Sequence, residues 1–202
     1  MAQPADKKPP PQASFDVSVM GQIESAYFPG EDNIYCSFSI MKGSDWQVAA
    51  GMEQGITQVS SVPSGSPAKV VWNFPLELTL KSTNVYGWPQ IVIEVHGTDF
   101  LNRDVVLGYG SVHLPTVAGM HTLKMRMFRP LSSSMFQSFF GWANANPPEY
   151  IDHKRPAMPT GREVTRVESK GVVTLKLNCV TRNMRQFGYS APVHTAAAPH
   201  HF

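Results

Sequence analysis

The chain has 202 residues, 42% of them hydrophobic, with 16% charged residues and a formal net charge of +2. That length fits one domain with tails, and that composition can fill a sizeable core. The basic residues are spread along the chain, whereas a nucleic-acid binder concentrates them on one face, so no nucleic-acid role is expected.

Seventeen prolines and fifteen glycines favour turns over long helices. The two cysteines, Cys36 and Cys179, each sit in an apolar strand-like run. Without a CxxC pair a structural zinc site is not expected, and both read as buried free thiols. No apolar run of spanning length occurs, and the opening MAQPADKKPPPQAS lacks the apolar core of a secretory signal. The expectation is a soluble intracellular protein that reaches a membrane only from its surface.

Residues 1–13, rich in Pro, Lys and Gln, cannot bury apolar area and are predicted to be disordered. From Phe15 the pattern changes: Phe15, Val17 and Val19 recur at period two, a half-buried strand. A turn at YFPGED follows, then NIYCSFSI, with Ile34, Cys36, Phe38 and Ile40 on one face. GSDWQVAAG and GITQVSS read as short strands between glycines. SVPSGSPA, 61–68, is a loop by composition. In KVVWNFPLELTLKST, Leu76, Leu78 and Leu80 share a face, and Pro75 requires a strand start, an edge or a bulge. QIVIEVHG, VVLGYGSVHLP and HTLKMRMFRP are further strands. SSSMFQSFFGW, 132–142, is the best helix candidate, capped by Ser132 with Met135, Phe136, Phe139 and Phe140 on one face. A proline-rich loop covers 143–160. REVTRVESKG and VVTLKLNCVTRN close the series as two strands separated at Gly171, and 190–202 is predicted to be a disordered tail. Nine or ten short strands and one short helix make an all-β antiparallel sandwich spanning 14–189. Trp46, Trp72 and Trp88 belong to its core or core edge.

Catalytic motifs are missing: the sequence holds no GxSxG, HExxH or P-loop. GYGS, 108–111, lies inside a strand pattern. His96 and His113 read as structural, and His194, His200 and His201 belong to the tail. No enzyme activity, cofactor or small-molecule substrate is expected.

Two loops resemble the metal-binding loops of calcium-dependent β-sandwiches. AYFPGED offers Asp32, and HGTDFLNRD offers Asp99 and Asp104, where such sites use about five carboxylates. Gly97 stands where a further acid belongs, and Arg103 adds a positive charge. The loops therefore read as degenerate, with no bound metal. Tyr27, Phe28, Phe100, Leu101 and Arg103 are candidate lipid or partner contacts at the same end, since exposed apolar loop tips can enter the headgroup region. The competing expectation is that these apolar side chains pack against one another.

Four stretches carry a family resemblance: GQIESAYFPGEDNIYC, VVWNFPLELTLKSTNVYGWPQIVIEVHGTDF, GYGSVHLP and GREVTRVESKGVVTLKLNCVTRNMRQFGY. They resemble the B9-domain proteins, over roughly Phe15 to Tyr189. The resemblance implies a C2-like β-sandwich. It also implies a place at the ciliary basal body and transition zone, in cytoplasm and cytoskeleton, within the Meckel-syndrome (tectonic-like) complex. Partners would be other B9-domain proteins and membrane-linked subunits of that complex, with peripheral membrane contact as the alternative mode. The family supplies no catalytic residues to carry over.

Overall fold

The computed structural model describes residues 13–65, 68–98, 103–130 and 167–189. Nine strands run in chain order: β1 (Phe15–Tyr27), β2 (Tyr35–Met41), β3 (Gln47–Gly51), β4 (Gln54–Ile56), β5 (Lys69–Ser82), β6 (Gln90–Thr98), β7 (Asp104–His113), β8 (Gly119–Pro130) and β9 (Val167–Arg182). Hydrogen bonding orders them β3-β5-β1-β9-β8-β7-β6-β2-β4, with every neighbouring pair antiparallel. Among the described residues β7 and β8 join through one register pair, Tyr109 with Phe128. The sheet therefore curls at that seam into two layers, five strands against four. This is the expected antiparallel sandwich.

Alternation dictates which side chains the layers enclose. On β5, Val70, Trp72, Leu76, Leu78 and Leu80 are buried while Lys69, Val71, Asn73, Glu77 and Lys81 are exposed. On β9, Val173, Leu175, Leu177 and Cys179 turn inward. The four-stranded layer answers with Cys36, Phe38, Ile91, Ile93, Val95 and Leu107. Each such side chain stabilises the fold by about 1.5–3 kcal/mol relative to exposure. Both cysteines are buried and free. Burial pushes the Cys36 thiol up to about 12 and the Cys179 thiol up to about 11.

One end of the sandwich is closed by aromatics. Phe15 meets Trp46 edge-on at 5.4 Å, and Trp46 meets Trp88 at 5.1 Å. Each described indole N–H finds a carbonyl: Trp46 donates to Tyr86, Trp72 to Ile34 and Trp88 to Leu114. Pro75 lies on β5 beyond the reach of β3, which pairs only with residues 78–81, so its missing N–H costs no ladder bond.

Two expectations need amendment. The last two predicted strands are one, β9, running through Gly171. A side chain there would strike the chain opposite: a Cβ would stand 2.5 Å from the Tyr27 carbonyl oxygen. Gly171 thus marks a close approach of backbones, not a break. The described residues also contain one unpredicted helical turn, a 3₁₀ turn at Met184–Phe187, flanked by left-handed Asn183 (φ 64°) and Gly188 (φ 79°). The helix expected at 132–142 lies outside the described residues.

Candidate contact surface

The β1–β2 connection turns at Pro29-Gly30, with the Glu31 N–H donating to the Phe28 carbonyl. Gly30 takes φ 79°, as this tight turn requires. The turn sends Phe28 inward. At 1% exposure it is core, so its expected role as a loop-tip contact does not hold. Its ring fits where Gly108 of β7 and Gly171 of β9 leave room between the layers. Tyr27 is 46% exposed but ends β1, paired with Lys69 on one side and Val172 on the other. It therefore belongs to a sheet face and not to a loop tip. Arg103 is exposed, whereas Asp99, Phe100 and Leu101 lie outside the described residues.

Asp32 and Asp104 serve as acceptors within the protein. One oxygen of Asp32 accepts from the backbone N–H of Asn33 at 2.9 Å and of Val62 at 2.7 Å, tying two loops together. Asp104, at the start of β7, accepts the Tyr35 hydroxyl at 2.7 Å. The Tyr35 ring stacks on His96, centroids 4.9 Å apart and planes 8° apart. His96 in turn lies 3.9 Å from Asp104 and 3.5 Å from Glu94. The Asp104 hydrogen bond, helped by burial and by its negative charge, raises Tyr35 to about 12. Among the described residues no cluster of three or more His, Cys, Asp or Glu side chains could hold a metal ion. His96 and His113 lie at opposite ends of the β6–β7 hairpin: His96 pairs with Val106, and His113 with Gln90.

Sequence reasoning missed a second surface, at the end of the strand order. Among the described residues β4 has one paired side, toward β2. Beside it runs a groove of about 480 Å³ bordered by Phe38, Gln54, Gly55, Ile56, Val92 and Glu94. Gly55 lets β4 pack closely on the Phe38 ring, since a Cβ there would lie 2.7 Å from it. Ile56 is 64% exposed, and Val59 and Met52 are exposed nearby in sequence. The glycine before an exposed isoleucine was visible in the sequence. That this segment would be an outermost strand was not.

Comparison with known proteins gives this geometry a family. A family model described as "B9-C2: Ciliary basal body-associated, B9 protein" matches residues 17–180. B9 domain-containing protein 1 of Xenopus laevis is 51% identical over 87% of this chain and 89% of its own length. The Homo sapiens protein of that name is 49% identical over 87% of this chain and 86% of its own. Identity falls to 28% against B9 domain-containing protein 2 of Bos taurus, over 86% of this chain and 97% of that one. A solved C2A domain of plant extended synaptotagmin 1 superposes with a TM-score of 0.43 at 9% identity, covering 81% of this chain and 92% of that one. With the family model spanning both layers of the sandwich, and type-one relatives matching half of the aligned residues, the chain belongs to the ciliary basal body-associated B9 family.

Proposed function

We propose that this protein is a non-catalytic scaffold subunit of the ciliary transition-zone complex of Meckel-syndrome (tectonic-like) type. It acts there by contact with other B9-domain proteins, and the assembly supports cilium formation and the barrier between ciliary and plasma membranes. The observation that carries this reading is the β4 edge. Among the described residues a short outer strand with one paired side lies beside a groove of mixed lining in which Ile56 and Val92 meet Ser37, Ser39 and Glu94, and such an edge is a template for strand addition by a partner domain. The family supplies structurally related partners with their own edges. The carboxylates Asp32 and Asp104 are spent on loop and Tyr35 hydrogen bonds, which favours a metal-independent contact.

Co-expression with a type-two B9 protein tests the reading. The full chain co-purifies with it, and Ile56→Lys lowers the yield of complex at least ten-fold without changing the thermal midpoint. Ile56 is exposed, so the substitution acts on the edge and not on the core. A chain that remains alone beside every sibling, or an Ile56→Lys variant that assembles normally, overturns it.

A further inference from the structure

The outer face of the five-stranded layer carries a concavity of about 480 Å³ that neither the loop end nor the β4 edge uses. Glu24 and Tyr27 of β1, Lys69 of β5, Lys124 of β8, and Val172 and Thr174 of β9 line it. Strand register explains why these residues meet. Between Ile23 and Ser25 the pairing of β1 slips against both β5 and β9. An irregularity of this kind bends a strand and deepens its twist. Beyond it, one row across the layer reads Lys69, Tyr27, Val172, Arg126, and the next reads Val71, Ser25, Thr174, Lys124. With strands ~4.8 Å apart, Lys69 and Arg126 flank the groove at a backbone separation on the order of 15 Å.

Around the groove the charge is mostly positive, while Glu77 lies farther along the same face. Lys69, Lys124 and Arg126 are exposed. Lys176, also exposed, is held at 2.6 Å by Glu24, the single acid lining the groove. Between the cations stand two exposed apolar side chains, Tyr27 at 46% and Val71 at 41%. Phosphates suit the cations, and the amphipathic tyrosine ring suits the boundary between headgroup and acyl chain. A surface offering only carboxylates would match the bases and leave the ring and the valine without a partner.

We propose that this face is a docking surface for anionic membranes. Lys69, Lys124 and Arg126 bind phospholipid phosphates there, while Tyr27 and Val71 seat at the headgroup boundary. The surface lies on a sheet face, away from the loop tips, and needs no calcium. It is independent of the β4 edge, so the scaffold reading can fail without it, or it without the scaffold reading.

The test is flotation of the full-length chain with vesicles of phosphatidylcholine alone, and of phosphatidylcholine with phosphatidylserine or phosphatidylinositol bisphosphate, all with chelator present. Binding is expected only to the anionic vesicles and is expected to weaken as salt rises. Each cation near an anionic surface is worth about five-fold in affinity, ~1 kcal/mol. The pair Lys69→Glu and Lys124→Glu should therefore weaken binding by on the order of a hundred-fold or more. Lys69→Gln with Lys124→Gln should weaken it by roughly 25-fold. Glu24→Gln releases Lys176 and should strengthen binding a few-fold. An unchanged thermal midpoint shows that each variant is folded, and co-purification with a type-two B9 protein should persist. The proposal is overturned by equal binding to neutral vesicles, or by charge variants that float like the parent chain. It is overturned equally if soluble inositol phosphate or an acidic polypeptide binds while anionic vesicles do not. Loss of the B9 partner together with vesicle binding would reassign the face to protein contact.

Discussion

Phe28 occupies the space that a side chain at residue 171 would need: a Cβ on Gly171 would stand 2.8 Å from the Phe28 ring. The two positions belong to different parts of the chain and to one packing decision. Phe28→Ser removes a fully buried ring from between the layers and should cost about 3–5 kcal/mol. The thermal midpoint should fall by roughly 10 °C or more. An exposed membrane anchor would show no such loss, so a midpoint within a degree or two of the parent would return Phe28 to the surface.

Gly171→Ala makes the reciprocal intrusion. The added methyl meets both the ring and the Tyr27 carbonyl oxygen at 2.5 Å, and the oxygen belongs to backbone that cannot swing away. Overpacking of this kind costs about 1–3 kcal/mol. Gly30→Ala, at a turn with open space around it but φ 79°, should cost less, through backbone strain alone. Parallel denaturant titrations of the two variants check the order, and a Gly171→Ala variant as stable as the parent refutes the packing account.

Both thiols should be inert while the protein is folded. Burial holds the thiolate form of Cys36 and Cys179 out of reach at mildly alkaline pH, with pKa values near 12 and 11. A thiol-reactive disulfide reagent should label neither in native buffer and both in concentrated guanidinium. Rapid labelling of a folded chain would show that one of them opens to solvent.

Tyr35 carries a pH signature. Its hydroxyl donates to Asp104, and its pKa stands near 12 against the ordinary 10.0. Folding therefore favours the protonated phenol. The stability this adds is present below about pH 10 and disappears as pH climbs from 10 toward 12. Ultraviolet titration of the phenolates should show Tyr35 titrating late, alongside Tyr109, which burial also holds up, and Asp104→Ala should move only the Tyr35 step back toward the ordinary value. If Asp104→Ala leaves the titration unchanged, the hydrogen bond does not hold the proton.

Calcium at millimolar concentration should leave the thermal midpoint unchanged. Asp32 already accepts two backbone N–H groups through one oxygen and Asp104 a phenol, so a dication there would compete with hydrogen bonds that already orient both carboxylates. A rise of several degrees on adding calcium, reversed by chelator, would show that the loop end still binds the ion.

Much of the architecture was legible without coordinates. Leu76, Leu78 and Leu80 announce their strand and its inner face because a sheet face repeats every two residues, and that spacing is a local property. The same reasoning found both buried cysteines. It treated Gly171 as a break because a glycine in a strand looks like an interruption until the opposing backbone is known. It left Phe28 between loop-tip contact and packing, because the neighbouring Pro-Gly turn does not say which way the ring points. Only the stacking of the two layers, with glycines at 108 and 171 facing it, turns that ring inward.

The sequence by itself determined the class of the protein: alternating strands, two free thiols and strings specific enough to mark a B9 domain. Tertiary structure alone decided where its surfaces are. Lys69, Tyr27, Arg126 and Lys124 are scattered through the chain and give no sequence signal as a group, yet pairing of β5, β1, β9 and β8 places them on one bent face. The physical reason is that alternation along a strand is written locally, whereas the neighbours across a sheet depend on register. Register is set by contacts between segments far apart in sequence.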